Sequence, residues 1–243
     1  MKHPIKLITF DLDDTLWPVD EIMIKADALL QRWLRENHPA IEEQFSRKDL
    51  LDIRNKIFKE NPEIAHNLTE LRILTYRELF LRLGYAAAEA RSHAEDAFSV
   101  FYKGRNTIEF FPGALTLLEH LAKNHTLIGL SNGNADLKLV GIAQHFSHHH
   151  SAESIGKPKP HPEMFEAALA TASELHSETI KPEQSLHIGD HPEQDVEAAR
   201  RCGMNTIWAN VLNREWPKDL KQSIEAKHLS EIPQIIQKLV AHL

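Results

Sequence analysis

The stretch Ile5-Lys6-Leu7-Ile8-Thr9-Phe10-Asp11-Leu12-Asp13-Asp14-Thr15-Leu16 constrains this chain more than any other. Its apolar, β-branched run is short and ends abruptly in carboxylates, which marks a buried strand of a parallel sheet. In open α/β sheets ligands bind beyond the carboxyl ends of the strands, where Asp11 and Asp13 fall. Alternation along an extended chain lets Asp11 and Asp13 point one way while Leu12 points the other. Like charges held that close repel unless something compensates them. A hard divalent ion such as Mg²⁺, which takes oxygen ligands and keeps some of its water, is the natural occupant. The plainer reading of the same residues is an acidic turn or a helix cap. The rest of the chain has to decide between the two.

Composition narrows the partners. A chain of 243 residues with 42% hydrophobic content can bury a sizeable core, as one large domain or two modest ones. The formal charge of −7 argues against nucleic acid and against an anionic membrane surface. It also means that a phosphorylated substrate would need a local positive spot, built from a metal, a lysine and backbone N–H groups. A lone cysteine, Cys202, excludes an internal disulfide and fits a reducing compartment. There is no signal-peptide pattern and no long apolar run, so the expectation is a cytoplasmic protein.

Beyond Leu16 the pattern is helical for a long stretch. Asp20 is placed to cap a helix whose Ile22, Ala26, Leu29, Leu30, Trp33 and Leu34 share a face, ended by Asn37-His38-Pro39. Ser46 with Asp49 resembles a capping box ahead of Leu50, Ile53 and Ile57. Thr69 opens a third helix that Gly84 ends, and an alanine-rich fourth runs from about Ala86 to Tyr102. Four helices with no strand between them read as a separate module, residues 17–111, inserted into a core of residues 1–16 and 112–243.

The second half alternates. Strands are expected at Thr126–Leu130, near Phe146–Ser151, at Ser185–Ile188 and at Asn205–Trp208. Helices are expected at Gly113–Lys123, up to Gln144, at Pro162–Ala172, at Gln194–Cys202 and at Ser230–Ala241. Such alternation means βαβ units and a parallel sheet, which the N-terminal strand must join.

Each strand ends in a loop of unusual chemistry, and a parallel sheet gathers such ends on one edge. The first brings Asp11 and Asp13. The second brings Ser131, followed by Asn132 and Gly133, suited to offering a hydroxyl and backbone N–H groups to an oxyanion. The third, Gly156-Lys157-Pro158-Lys159-Pro160, brings Lys157 as a point charge for phosphate. The fourth brings Asp190 and, one helical turn on, Asp195. Each has an innocent reading as a cap, a turn or a surface charge. Their occurrence at successive strand ends makes coincidence a poor account.

Asp-Leu-Asp-Asp-Thr-Leu, Leu-Ser-Asn-Gly-Asn, Gly-Lys-Pro-Lys-Pro and Gly-Asp-His-Pro-Glu-Gln-Asp together resemble the ordered motifs of the haloacid dehalogenase (HAD) superfamily, in its phosphatase branch. The resemblance covers the whole chain, and implies an α/β fold with a Rossmann-like parallel sheet and an inserted all-helical C1 cap. It implies that Asp11 is a nucleophile forming an aspartyl-phosphate, and that Asp13 protonates the leaving alcohol and then deprotonates water. It further implies that Mg²⁺ sits on the Asp11 carboxylate, the Asp13 backbone carbonyl and Asp190, with Asp195 in support. Ser131, Asn132 and Lys157 would hold the phosphoryl group, Lys157 also orienting Asp11. A dehalogenase of this superfamily lacks the equivalent of Asp13, so the expected reaction is phosphomonoester hydrolysis.

The substrate expected is a small phosphorylated metabolite, acted on by a monomer or homodimer. Asn37-His38-Pro39-Ala40 and the segment from Glu60 to His66, with Leu68-Thr69 and Arg72, are similar to the cap of HAD phosphatases of flavin synthesis. Those remove phosphate from 5-amino-6-(5-phospho-D-ribitylamino)uracil. A broad-specificity sugar-phosphate or nucleotide phosphatase, a phosphomutase and a phosphate-sensing protein on the same fold stay open as alternatives. His66, Asn67 and Arg72 read first as capping or solvated residues. His148 and His150, near His145 and His149, would share a strand face. Cys202, Trp208 and Trp216 read as packing residues.

Overall fold

The computed structural model describes residues 4–242, with no account of the His242 side chain. Chain contacts divide it into two units, Met1–Val19 with Glu109–Leu243 and, separately, Asp20–Ile108.

The first unit is built on a six-stranded parallel sheet. Its strands are β1 (Leu7–Phe10), β2 (Thr126–Ser131), β3 (His148–Ser151), β4 (Ser185–Gly189), β5 (Asn205–Ala209) and β6 (Glu225–Ala226), in the order β3-β2-β1-β4-β5-β6. The two-residue β6 has no hydrophobic pattern of its own, and the sequence reading missed it. Every residue of β1 is buried. It pairs with β2 and β4 in register, Phe10 opposite Gly129 on one side and Ile188 on the other. The strand order reverses between β1 and β4, the point where such sheets open a crevice at their carboxyl edge. On one face Leu7, Ile128 and Leu130 pack against Met164, Phe165 and Ala168 of the helix Glu163–His176.

The second unit is all helical: α1 (Val19–Asn37), which starts one residue inside the first unit, α2 (Pro39–Gln44), α3 (Arg47–Glu60), α4 (Leu68–Arg82) and α5 (Ala87–Arg105). The capping box at α3 is formed: Asp49 N–H donates to Ser46 Oγ at 3.3 Å and Ser46 N–H to Asp49 Oδ2 at 2.8 Å. Two expected helix starts are displaced. Asp20 lies inside the first turn of α1, and Asp14 Oδ1 accepts the Val19 N–H at 2.9 Å. The cap of α4 is Asn67, accepting from Glu70 N–H at 2.8 Å, rather than Thr69. Ala90, Ala94 and Ala97 recur on one face of α5, and their small side chains bring it close to Tyr76, Leu79 and Phe80 of α4. At Gly104 a side chain would meet the backbone of Ala26 at 2.8 Å, so α1 and α5 cross where only glycine fits.

The helix expected up to Gln144 is a short piece, Leu137–Val140, stopped by Gly141 in the left-handed conformation. The helix expected from Gln194 starts earlier, as a π-helical turn over Pro192–Glu197 that continues into Ala198–Arg201. Such turns gather at functional sites. No described helix is long and apolar enough to cross a membrane.

Candidate active site

The carboxyl ends of β1, β2 and β4 open into a cavity of about 310 Å³ lined by Asp11, Asp13, Ser131, Asn132, Asp190 and Asp195 among others. These are the residues the sequence placed there.

Lys157 is the correction. It is exposed, and the ammonium in the cavity belongs to Lys159, 3% exposed. Lys159 Nζ lies 2.6 Å from Asp11 Oδ1 and 2.6 Å from Asp195 Oδ1. In Gly-Lys-Pro-Lys-Pro both lysines are two residues apart and so share a face of an extended chain, and local pattern cannot choose between them. A distant residue makes the choice. Asn132 accepts the Lys159 N–H at 2.7 Å and donates to the Lys159 carbonyl at 2.9 Å, fixing that residue at the cavity wall.

Asp11 follows β1, its N–H bonded to the Ile188 carbonyl of β4 at 2.9 Å. Ligand atoms of Asp11, Asp190 and Asp195 all lie within 4.8 Å of one another, and the three residues are buried. Burial, with Asp195 and Asp190 as negative neighbours, pushes Asp11 well above the usual carboxylate range even though Lys159 works the other way. Burial and Asp195 raise Asp190 to about 7 against the pull of Arg214. Burial acts on Asp195 too, yet Lys159 and His187 hold it below the ordinary value. Burial alone would discharge Lys159, but Asp11 and Asp195 keep its ammonium firmly protonated. A cluster of hard oxygen donors whose mutual repulsion raises two members fits a divalent cation, which would reverse those shifts.

Neighbours fix each carboxylate. Trp17 Nε1 donates to Asp13 Oδ1 at 2.7 Å. The buried Thr15 hydroxyl stands 3.3 Å from Asp11 Oδ2 and 3.4 Å from Asp190 Oδ1. Asp195 accepts the His191 N–H at 2.9 Å and faces His187 Nε2 at 3.2 Å. Because a carboxylate only accepts, His187 carries its proton on Nε2, and its Nδ1 accepts from Thr9 Oγ1 at 2.8 Å. Burial holds that imidazole neutral. Gly189 is required here: a Cβ would lie 2.4 Å from Asp195 Cγ. Ser131 Oγ accepts the Gly133 N–H at 2.9 Å, which curls the loop after β2 around the cavity.

Several site residues escaped the sequence reading. Arg214 donates to Asp190 Oδ2 and, at 2.6 Å, to Asp14 Oδ2, from a loop beyond β5. Nothing in its local sequence marks it. Trp208 does more than pack, since its Nε1 donates to the Asp190 carbonyl at 2.6 Å. Thr15 and His187 sit inside motifs already singled out, and only their contacts give them a part. Trp216 does pack, its ring 4.9 Å from that of Trp208. Cys202 is half-buried against the core, its thiol pushed up by burial. His148 and His150 do share a face, with rings 4.3 Å apart, while His145 is spent on Gln144 at 3.2 Å. Arg72 stacks 3.5 Å over Phe101 and pairs with Asp27.

A parallel sheet with this strand order, carrying an Asp-x-Asp after its first strand and a buried lysine and acidic pair opposite, defines a hydrolase of the haloacid dehalogenase type. The family profile described as haloacid dehalogenase-like hydrolase matches residues 5–203, and the chain belongs to that family. It is 30% identical over 96% of its length to the Escherichia coli (strain K12) 5-amino-6-(5-phospho-D-ribitylamino)uracil phosphatase YigB, covering 96% of that protein. It is 33% identical over 56% of its length to a phosphoserine phosphatase of Thermus thermophilus, covering 53% of it. Among solved structures, the crystal structure of a 2-haloacid dehalogenase from Pseudomonas syringae pv. Tomato DC3000 superposes with a TM-score of 0.90. That protein is 35% identical, with 97% of this chain and 99% of that one covered. The chain is thus an enzyme of this hydrolase family.

Proposed function

We propose that the cavity hydrolyses phosphomonoesters of small metabolites through a phosphoryl-Asp11 intermediate with Mg²⁺ as cofactor. The observation that carries this reading is Asp13 on the wall of the same cavity as Asp11, with its carboxylate tied to Trp17. Displacing a halide needs no proton for the leaving group, whereas expelling an alcohol does.

An Asp11 carboxylate oxygen attacks phosphorus, forming the new O–P bond as the bond to the leaving oxygen breaks. Asp13 gives that oxygen its proton. Water then attacks phosphorus, Asp13 takes the water's proton, and the O–P bond to Asp11 breaks to release phosphate. Lys159 favours the ionised form of Asp11 and aims it, and with the Ser131 hydroxyl and the N–H groups of its loop it balances the phosphoryl charge. Asp11, the Asp13 main-chain carbonyl and Asp190, with Asp195 in support, would hold the Mg²⁺, which when bound neutralises charge on the transferring group. The helical unit Asp20–Ile108 is read as a C1 cap that chooses the leaving group. The similarity to YigB supports 5-amino-6-(5-phospho-D-ribitylamino)uracil as the substrate.

The test is release of phosphate from p-nitrophenyl phosphate with Mg²⁺, with Asp11→Asn as control. A panel adds the uracil phosphate, sugar phosphates and nucleotides. Turnover abolished by Asp11→Asn supports the covalent route. Turnover that survives in the variant removes it, and equal rates across the panel remove the named substrate. The solved dehalogenase neighbour makes 2-chloropropionate the other arm, in which halide release without phosphate release would replace this reading.

A further inference from the structure

We propose that the Asn132 side chain acts as a positioning residue for Lys159 and makes no bond to phosphate. Its kinetic arm rests on the phosphatase reading above; its spectroscopic arm does not.

The hydrogen-bond inventory of one amide group carries the argument. A side-chain amide has two hydrogens to give and an oxygen that only accepts. Asn132 Nδ2 donates to the Lys159 carbonyl at 2.9 Å and to Gln194 Oε1 at 3.0 Å, which uses both hydrogens. Oδ1 accepts the Lys159 N–H at 2.7 Å. Rotating the amide by half a turn would set donor against donor and acceptor against acceptor, so its orientation is fixed by the Lys159 backbone. What the side chain has left is lone-pair density on Oδ1, which a phosphoryl oxygen avoids. The residue lines the cavity, yet its part there is indirect.

Lys159 needs such a clasp. It stands between Pro158 and Pro160, neither of which has an N–H to enter a ladder or a helix. Both main-chain groups of Lys159 are instead satisfied by Asn132, which follows the end of β2 and shares that strand's rigidity. From that anchor the ammonium reaches Asp11 and Asp195 at 2.6 Å each. The same three-bond pattern recurs at the other cation of the site. Asn210, which follows β5, accepts the Arg214 N–H at 2.7 Å and donates to the Arg214 carbonyl at 2.9 Å and to Glu225 at 2.6 Å. Arg214 then reaches Asp190 and Asp14. An asparagine at a strand end is therefore how this fold registers each charged loop against its carboxylates.

A double-mutant cycle on the full chain tests the proposal, with kcat and KM measured on p-nitrophenyl phosphate for wild type, Asn132→Ala, Lys159→Met and the pair. A positioning role predicts that Asn132→Ala alone lowers kcat by about 10–100-fold, the scale of a loosened catalytic group. In the Lys159→Met background the same change should move kcat by less than about twofold. A full loss retained in that background means an independent phosphate contact and overturns the proposal. In parallel, ¹⁵N-lysine NMR follows the Lys159 ammonium, identified by the signal that Lys159→Met removes. Asn132→Ala should shift that signal and speed its exchange with water, and an unchanged signal overturns the proposal too. If the wild type hydrolyses no phosphoester, the phosphatase reading fails while the ammonium signal still judges the clasp. Should Asn132→Ala not fold, Asn132→Asp, which keeps the acceptor and loses both donors, is read by the same signal.

Discussion

Replacing Lys159 by methionine, beside the same change at Lys157, tests which of the two lysines serves the cavity. Lys159 Nζ is 2.6 Å from carboxylate oxygens of Asp11 and Asp195, with its side chain 2% exposed. Breaking a buried ion pair from one side leaves the other charge uncompensated, at a cost of about 3–5 kcal/mol. The orphaned carboxylates then relieve themselves by taking up protons. In the wild type Asp195 is held below its ordinary value, so its contribution is present above the unfolded carboxylate range and is lost as pH falls through the folded value. In the wild type that loss falls below about pH 4, whereas the buried carboxylates orphaned in Lys159→Met take up protons above it, so the difference between the two should be full at pH 8 and shrink as the pH drops towards 4. Urea unfolding at both pH values measures it. Turnover of p-nitrophenyl phosphate should fall by about 10²–10³-fold, the usual effect of removing a buried electrostatic partner of the reacting group. Lys157 is exposed, so Lys157→Met should stay within about 0.5 kcal/mol of wild type and keep its turnover. If Lys157→Met is the damaging change and Lys159→Met the silent one, Lys159 is not the cation that serves Asp11.

Other perturbations follow from single contacts. Gly189→Ala would set a Cβ 2.4 Å from Asp195 Cγ, and should cost at least about 10²-fold in kcat by displacing that carboxylate, read by steady-state kinetics. Trp17→Phe removes the 2.7 Å bond that holds Asp13, and should lower kcat about tenfold with little change in KM. Burial lowers His149 to about 4, so between pH 6.5 and 4 the unfolded chain binds a proton that the folded chain refuses, and stability falls as pH falls. Wild type should therefore lose about 1–2 kcal/mol more than His149→Phe between pH 7 and pH 5 in denaturant titrations.

Much of this protein is written locally. The run Leu7–Phe10 has to be a buried strand because it is short and rich in apolar and β-branched residues, and Asp11 and Asp13 have to stand at its carboxyl end because the strand stops there. Ser131 and Asp190 follow the same rule at β2 and β4, and the Ser46–Asp49 box announced α3. These are properties of neighbouring residues, which short-range sterics and hydrogen bonding decide. Tertiary structure decided what neighbours cannot. The choice of Lys159 over Lys157 was made by Asn132, across 27 residues. Arg214 joined the site across 24 residues from Asp190, and Trp208 acquired the Asp190 carbonyl only when β5 was laid beside β4. β6 exists as a strand because β5 offers it an edge. Local sequence sets where the backbone turns and which groups it carries. Only the packed fold settles which of those groups meet, because each meeting depends on the placement of two distant segments at once.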